Sequence, residues 1–269
     1  MIPLDRALVG DALLRGFIAA DGAKRRREDE TKVDELVAFL ADVERVIAKS
    51  AKRAEFVLVD AAAGKGYVGV LAAALLLRDR PARIVLVERD ENRLADALSA
   101  AARLEVTHEI VTIATDVDDA SAYPDDANLV VGLHACGDAS DRILERAIAS
   151  RARNLLLIPC CVGRSTRGES LARSIHASLA LPDAAPIARR MVHAIVDGER
   201  ILRLESAGYQ TDALEFVPPR VTPYNVLLRA RRVDEPVRKA RSRDALDRLT
   251  SFAGVSDSDH LTGLRKDSP

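Results

Sequence analysis

Tryptophan is absent from this 269-residue chain, and aromatic residues make up only 3% of it. With so few rings there is no aromatic stripe on which single-stranded RNA could stack. The core must come from Ala, Val and Leu instead, which suits a layered α/β protein. Cysteine is nearly absent too: Cys136, Cys160 and Cys161 are all there are. An odd count with two adjacent members is a poor disulfide framework, and adjacent cysteines rarely bridge each other because the geometry is strained. A reducing, cytoplasmic location is the expectation. An excess of either charge is also missing. Forty Lys and Arg stand against 41 Asp and Glu, for a net charge of −1, so no global field draws the chain onto nucleic acid or membrane. The most apolar stretch, 56 to 77, contains Asp60 and Lys65 and is broken by Gly64-Lys65-Gly66. It reads as a strand plus a helix and not as a membrane span. The first residues carry early charges and no clean apolar core before a cleavage site, unlike a secretory signal.

What is present is a strong alternation. Hydrophobic residues form 48% of the chain, enough for a sizeable core without staples. Residues 1–50 read as a helical extension. Within it Val33, Leu36, Val37, Leu40, Val43 and Val46 recur at three- and four-residue steps, one apolar helix face. Thr31 is the candidate N-cap, and the charge block 23–30 before it reads as a solvated loop. Over 51–232 continuous apolar strands alternate with amphipathic helices: 55–60, 82–90, 108–116, 128–138 and 154–161 are the strands. That pattern means a parallel sheet covered on both faces, a doubly wound α/β fold. After the fifth strand the rhythm changes to two helices and a close pair of strands, 211–219 and 222–232, expected as an antiparallel hairpin at the sheet edge. Residues 233–269 are polar with weak periodicity, expected as a marginal helix or a disordered tail.

The first strand ends on Asp60 and turns through Ala61-Ala62-Ala63-Gly64-Lys65-Gly66 into a helix. Glycines at such a corner let a ligand's polar end approach the backbone near a helix N-terminus. A phosphate-binding P-loop needs Ser or Thr after the Lys, and Gly66 stands there. Gly64, Gly66 and Gly69 do satisfy the dinucleotide pattern G-x-G-x-x-G. A third ligand, S-adenosylmethionine, accounts for more of the sequence. An acid ending strand one can hold its ammonium, one ending strand two its ribose hydroxyls, and one ending strand three its adenine amino group. Asp60, Glu88 and Asp116 are those three acids, in that order, on the sheet edge where such folds bind ligands. The structural alternative is that acids after strands simply cap the helices that follow.

The segments "DAAAGKGYVGV", "VGLHACGDAS" and "LIPCCVG", in this order and spacing, resemble a methyltransferase-domain family related to the acceptor-stem tRNA ribose methyltransferases. The resemblance covers roughly residues 30–232. It implies a Rossmann-like, seven-stranded class I methyltransferase using S-adenosylmethionine, with RNA as a partner and tRNA or rRNA as the leading acceptor class. It singles out Lys32 and Glu35 in "TKVDELVAF", a Lys-x-x-Glu segment such proteins carry before strand one. Lys32, Asp60, Ala62, Gly64, Gly66, Glu88, Asp116 and His134 are the cofactor-binding candidates it implies. Ala62 stands where the family usually has Gly, and the His or Tyr often found after the paired cysteines is missing. His134 and Asp138 flank the expected methyl-transfer position and are the candidates for acceptor positioning or base work.

Cys136, Cys160 and Cys161 sit after strands four and five, where a thiolate could attack a pyrimidine ring. The plainer reading is that small, compact residues are needed there. His134 with the three cysteines also invites zinc, but H-x-C plus C-C lacks the usual paired C-x2-C spacing, and no metal is expected. Lys24, Arg25, Arg26 and Arg27 could touch phosphates, although Glu28, Asp29 and Glu30 follow at once. The competing functions are a methyltransferase acting on protein or a small molecule, a NAD-type oxidoreductase, and a silent cofactor-binding module.

Overall fold

The structure, a computed structural model, describes residues 4–18, 26–159, 161–179, 185–219, 221–222 and 225–252. The chain forms α1 (Arg6–Leu13), α2 (Arg27–Ala48), β1 (Phe56–Ala61), α3 (Tyr67–Leu75), β2 (Ala82–Glu88), α4 (Glu91–Arg103), β3 (Glu109–Ala114), β4 (Leu129–Ala135), α5 (Ala139–Ala149) and β5 (Asn154–Pro159). There follow α6 (Glu169–Ser178), α7 (Ala185–Ser206), β6 (Tyr209–Glu215), β7 (Val226–Arg232) and α8 (Pro236–Ser251). Among the described residues, no helix is long and apolar enough to cross a membrane.

One seven-stranded sheet runs in the order β3-β2-β1-β4-β5-β7-β6. The pairs β1·β2, β2·β3, β1·β4 and β4·β5 are parallel, and β7 joins β5 antiparallel. The last two strands do close the sheet, but the later one lies inside. Physics decides that order. In β7, Leu227, Leu228 and Ala230 are buried, while β6 is exposed along most of its length. The apolar strand takes the inner place and the polar strand takes the edge. Strand order reverses between β1 and β4, so the carboxyl ends of these two strands open the crevice where doubly wound folds take ligands.

Two compact units make up the chain. The first comprises Met1–Cys161 with Thr211–Arg232. Its core packs the apolar face of α2 (Val33, Leu36, Phe39, Leu40, Val43) with α3 and the strands Phe56, Leu58, Ile84, Leu86 and Val131. Helix α2 starts at Arg27, earlier than Thr31. The Asp29 carboxylate accepts from the Arg26 backbone N–H at 2.6 Å, which closes the first turn without a Ser or Thr cap. At the far end of α2, the Arg80 guanidinium donates to the carbonyls of Ile47 and Ala51 at 3.2 and 2.7 Å. Ile47 lies in the last turn of that helix, where carbonyls have no partner one turn on, and Ala51 lies just beyond it.

The second unit comprises Val162–Gln210 with Val233–Pro269. Helix α7 extends the expected helix at 198–209 back to Ala185. Arg200 is fully buried in it, with Nη1 on Asp197 at 3.0 Å. Glu205, also on α7, accepts from Ser242 Oγ at 2.9 Å and Arg238 Nη1 at 3.1 Å. Those bonds, with Pro at the first helical position, make a regular helix of 236–251 despite its weak apolar pattern. The rest of the polar tail lies outside the described residues.

Candidate active site

The corner after β1 assigns its small residues different tasks. Gly64 has φ +56, and a Cβ built on it would meet nothing within 4 Å. Its Cα faces open space at the mouth of the crevice. Gly66 and Gly69 instead face inward. A Cβ on Gly66 would stand 2.8 Å from Ala97 Cβ, and one on Gly69 would stand 2.6 Å from Leu86 Cδ2. Gly66 lets the loop pass close to α4 and β2, and Gly69 lets α3 lie close on β2. Ala62 has φ +56, in the left-handed region that favours glycine; the turn fits the family's usual Gly, and this chain holds the strain with Ala. Lys65 turns away to Asp96 of α4, 3.0 Å from it.

Asp60 lies beneath this loop, 2% exposed. Its Oδ2 accepts from Gly69 N–H at 2.8 Å, in the first turn of α3. Burial pushes its carboxyl up to about 7; the Gly69 N–H opposes that rise, and the Glu88 charge adds to it. Glu88, at the end of β2, is 11% exposed at its side chain. Its Oε2 accepts from Gly64 N–H at 3.0 Å, and its Oε1 accepts from Asp90 N–H at 3.2 Å. A carboxylate has about four lone-pair sites, so two remain for a diol. Asp116 follows β3 with its side chain 43% exposed. Its Oδ1 accepts from Asp118 N–H at 3.1 Å and from Arg142 Nη1 at 3.3 Å. Arg142 also holds Asp138 at 2.8 Å, so one guanidinium joins the acid after β3 to the acid that precedes α5.

His134 occupies the end of β4. It has φ +59, and the pairing with β5 shifts register between Leu133 and Ala135. Its Nε2 lies 3.0 Å from Glu35 Oε2 on α2. One turn earlier on the same helix, Lys32 Nζ sits 4.6 Å over the Tyr67 ring, a cation–π contact. The Phe17 ring lies 4.6 Å from Tyr67, centroid to centroid. The helical extension therefore reaches the loop and the β4 end together.

The cysteines depart from expectation. Cys136 carries a disulfide, although the odd count argued against one. Ala135 pairs with Pro159, so the ends of β4 and β5 meet side by side, a neighbourhood that spacing in sequence does not reveal. A sulfur in a disulfide is not a thiolate, so Cys136 is no nucleophile in this state. Cys161 is a free thiol whose sulfur accepts from Gly137 N–H at 3.3 Å. Cys160 lies outside the described residues, as do Lys24 and Arg25. Among the described residues no three His, Cys, Asp or Glu side chains converge as metal ligands. Arg142, Tyr67 and Phe17 went unremarked in the sequence. Only the step from Asp138 to Arg142, one helical turn, was there to find.

Four features suit S-adenosylmethionine: the bare Cα of Gly64, the spare lone pairs of Glu88, the half-exposed Asp116, and a crevice at the strand-order reversal. Residues 31–164 match the model of a family described as "Methyltransferase domain". Among curated proteins, the chain is 23% identical over 192 residues to the human glutathione S-transferase C-terminal domain-containing protein, covering 64% of this chain and 29% of that protein. The Drosophila pseudoobscura homolog is 27% identical over 203 residues, covering 66% and 33%. The chain thus spans about a third of the length of these relatives. Solved structures of similar fold include magnesium protoporphyrin IX methyltransferase from Synechocystis with bound SAH (TM-score 0.48, 13% identity, 83% of this chain and 100% of that one). An rRNA methylase from Streptococcus thermophilus is similar at TM-score 0.45 and 8% identity, over 72% and 96%. Over residues 31–164 the chain is therefore a match to the methyltransferase-domain family, and S-adenosylmethionine is the cofactor that this site suits.

Proposed function

We propose that this methyltransferase acts on RNA, with tRNA or rRNA as the acceptor class. The observation that carries the reading is the course of α2. Glu35 of that helix touches His134, and Arg27 begins it about 12 Å away along the axis, from the rise per residue of an α-helix. The exposed Arg26 (82% at its side chain) and Arg27 therefore stand within a few nucleotides' reach of the site. The resemblance to tRNA ribose methyltransferases points the same way.

When bound, the cofactor supplies a methyl group on a sulfonium, already a good leaving group, so the chain's task is alignment. In this reading Glu88 takes the ribose hydroxyls and Asp116 the adenine amino group. Gly64 and Gly66, with Ala62, Asp60 and Lys32, form the end that receives the amino-acid portion. His134 and Asp138 face the acceptor. Cys136 and Cys161 serve as compact residues just past the ends of β4 and β5.

The test is incubation with methyl-labelled cofactor and cell extract, followed by separation into RNA, protein and small molecules. Label in the RNA fraction is expected. Label confined to the other fractions removes RNA as the acceptor and leaves methyl transfer standing.

A further inference from the structure

Three features of His134 coincide. It is a non-glycine residue at φ +59, a strained conformation that persists only where the surroundings enforce it. It sits at a register shift between β4 and β5, and such bulges re-aim a side chain beside active sites. Its ring is one-third exposed, yet it is anchored through Nε2 to Glu35, whose own side chain is 11% exposed. Glu35 is the surprising partner. It lies among the buried residues of α2, between Val33 and Leu36, where water is largely excluded. Burying a carboxylate there is costly unless it is paired, and its partner stands 99 positions away in sequence. Packing alone would be served better by a leucine.

We propose that Glu35 is a positioning residue for His134, and that the pair accepts the proton lost by a hydroxyl or amine acceptor; this rests on the methyl-transfer assignment and not on the acceptor being RNA. An ionised carboxylate only accepts hydrogen bonds, so Nε2 carries the hydrogen and the neutral ring's lone pair lies on Nδ1. The acceptor's oxygen or nitrogen forms a bond to the methyl carbon. The sulfur–methyl bond breaks with its electron pair going to sulfur. The acceptor's proton passes to His134 Nδ1, and Glu35 faces the positive charge the ring gains, as in a carboxylate–histidine pair of a hydrolase. The acceptor class is thereby narrowed to groups that bear an O–H or N–H.

Two variants separate the parts of this role. In Glu35→Leu the ring loses its acceptor; in Glu35→Gln an amide oxygen can still accept from Nε2–H, but the charge is gone. Ring-nitrogen NMR of His134 in the cofactor-free protein reads the tautomer without any acceptor. The Nε2–H form is expected in wild type and Glu35→Gln, and a mixture in Glu35→Leu. Label transfer from methyl-labelled cofactor into whole cell extract reads the chemistry. Glu35→Gln should lower it by about tenfold or more, within the range of general-base effects, with cofactor affinity unchanged by calorimetry. Glu35→Asp should restore part of it. A tautomer unchanged in Glu35→Leu defeats the positioning role. Label transfer by Glu35→Gln within about twofold of wild type defeats the base role. Wild-type protein that labels nothing in the extract defeats methyl transfer itself, and the base role with it.

Discussion

Asp60 and Glu88 end neighbouring strands under one loop, and burial sets them apart. Asp60 is enclosed and holds the first turn of α3 through Gly69; Glu88 keeps spare lone pairs toward the crevice while fixing Gly64. Their substitutions should therefore fail in different ways. Replacing Glu88 by Ala removes charge-assisted hydrogen bonds worth ~1.5–3 kcal/mol. Affinity for S-adenosylmethionine should fall by about tenfold or more by calorimetry, and the melting temperature of the free protein should fall as well, because the Gly64 and Asp90 N–H groups lose their acceptor. Equal affinity would remove Glu88 from the site. For Asp60 the prediction concerns pH. Its folded carboxyl is raised from 3.8 to about 7, so the folded state holds the proton more tightly than the unfolded chain. The stability this contributes is complete below 3.8 and is lost as pH rises through about 7. Asp60→Asn titrates nowhere and can still accept from Gly69. Denaturant unfolding should show the stability difference moving in favour of the Asn variant between about pH 4 and about pH 7, by on the order of 4 kcal/mol at most. A difference that stays constant across that range would mean Asp60 is ionised when folded.

At the scale of elements, the strand–loop–helix corner combines a ligand position with two packing positions. Gly64→Ala adds a methyl into open space and keeps a strained φ, so it should cost ~1 kcal/mol of stability and weaken cofactor binding. Gly69→Ala drives a Cβ against Leu86 and Ile84, so α3 must lift from β2 at a cost of ~1–3 kcal/mol. Chemical denaturation of the two variants should rank Gly69→Ala as clearly the less stable, and the reverse order would sink this division of roles. The same corner shows what a sequence displays and what it hides. The strands were legible because burial on both faces demands unbroken apolar runs, as in β1, β2 and β4. The three strand-end acids were legible because each follows an apolar run, although β3 is only half-buried. The start of α2 was hidden, since Asp29 closes its turn onto a backbone N–H where no Ser or Thr announces a cap. The inner place of β7 was hidden, because order in a sheet depends on relative burial of distant strands. The bulge at His134 and its bond to Glu35 were hidden for the same reason: each is a relation between segments that no local pattern encodes.

Over the whole molecule, charge limits how RNA can be held. With a net charge of −1, long-range attraction is weak, and any phosphate contact must come from local cations. Those near the site are few and contested. Arg26 lies 3.7 Å from Glu28, Arg142 is shared between Asp116 and Asp138, and Lys32 rests on Tyr67. Arg27, at the start of α2, is exposed. RNA binding should accordingly be modest and steeply salt-dependent, because each neutralised phosphate releases counterions. For single strands the logarithmic slope is about −0.7 per contact. Replacing Arg26 and Arg27 together by Ala should then lower affinity for total tRNA and reduce the slope by about 1.4, two contacts' worth. Cofactor affinity should not change, since neither side chain is among those assigned to the cofactor. Filter binding across a salt series measures both quantities. An unchanged slope in the double variant would show that the start of α2 meets no phosphate, and the course of α2 would then no longer support RNA as the acceptor.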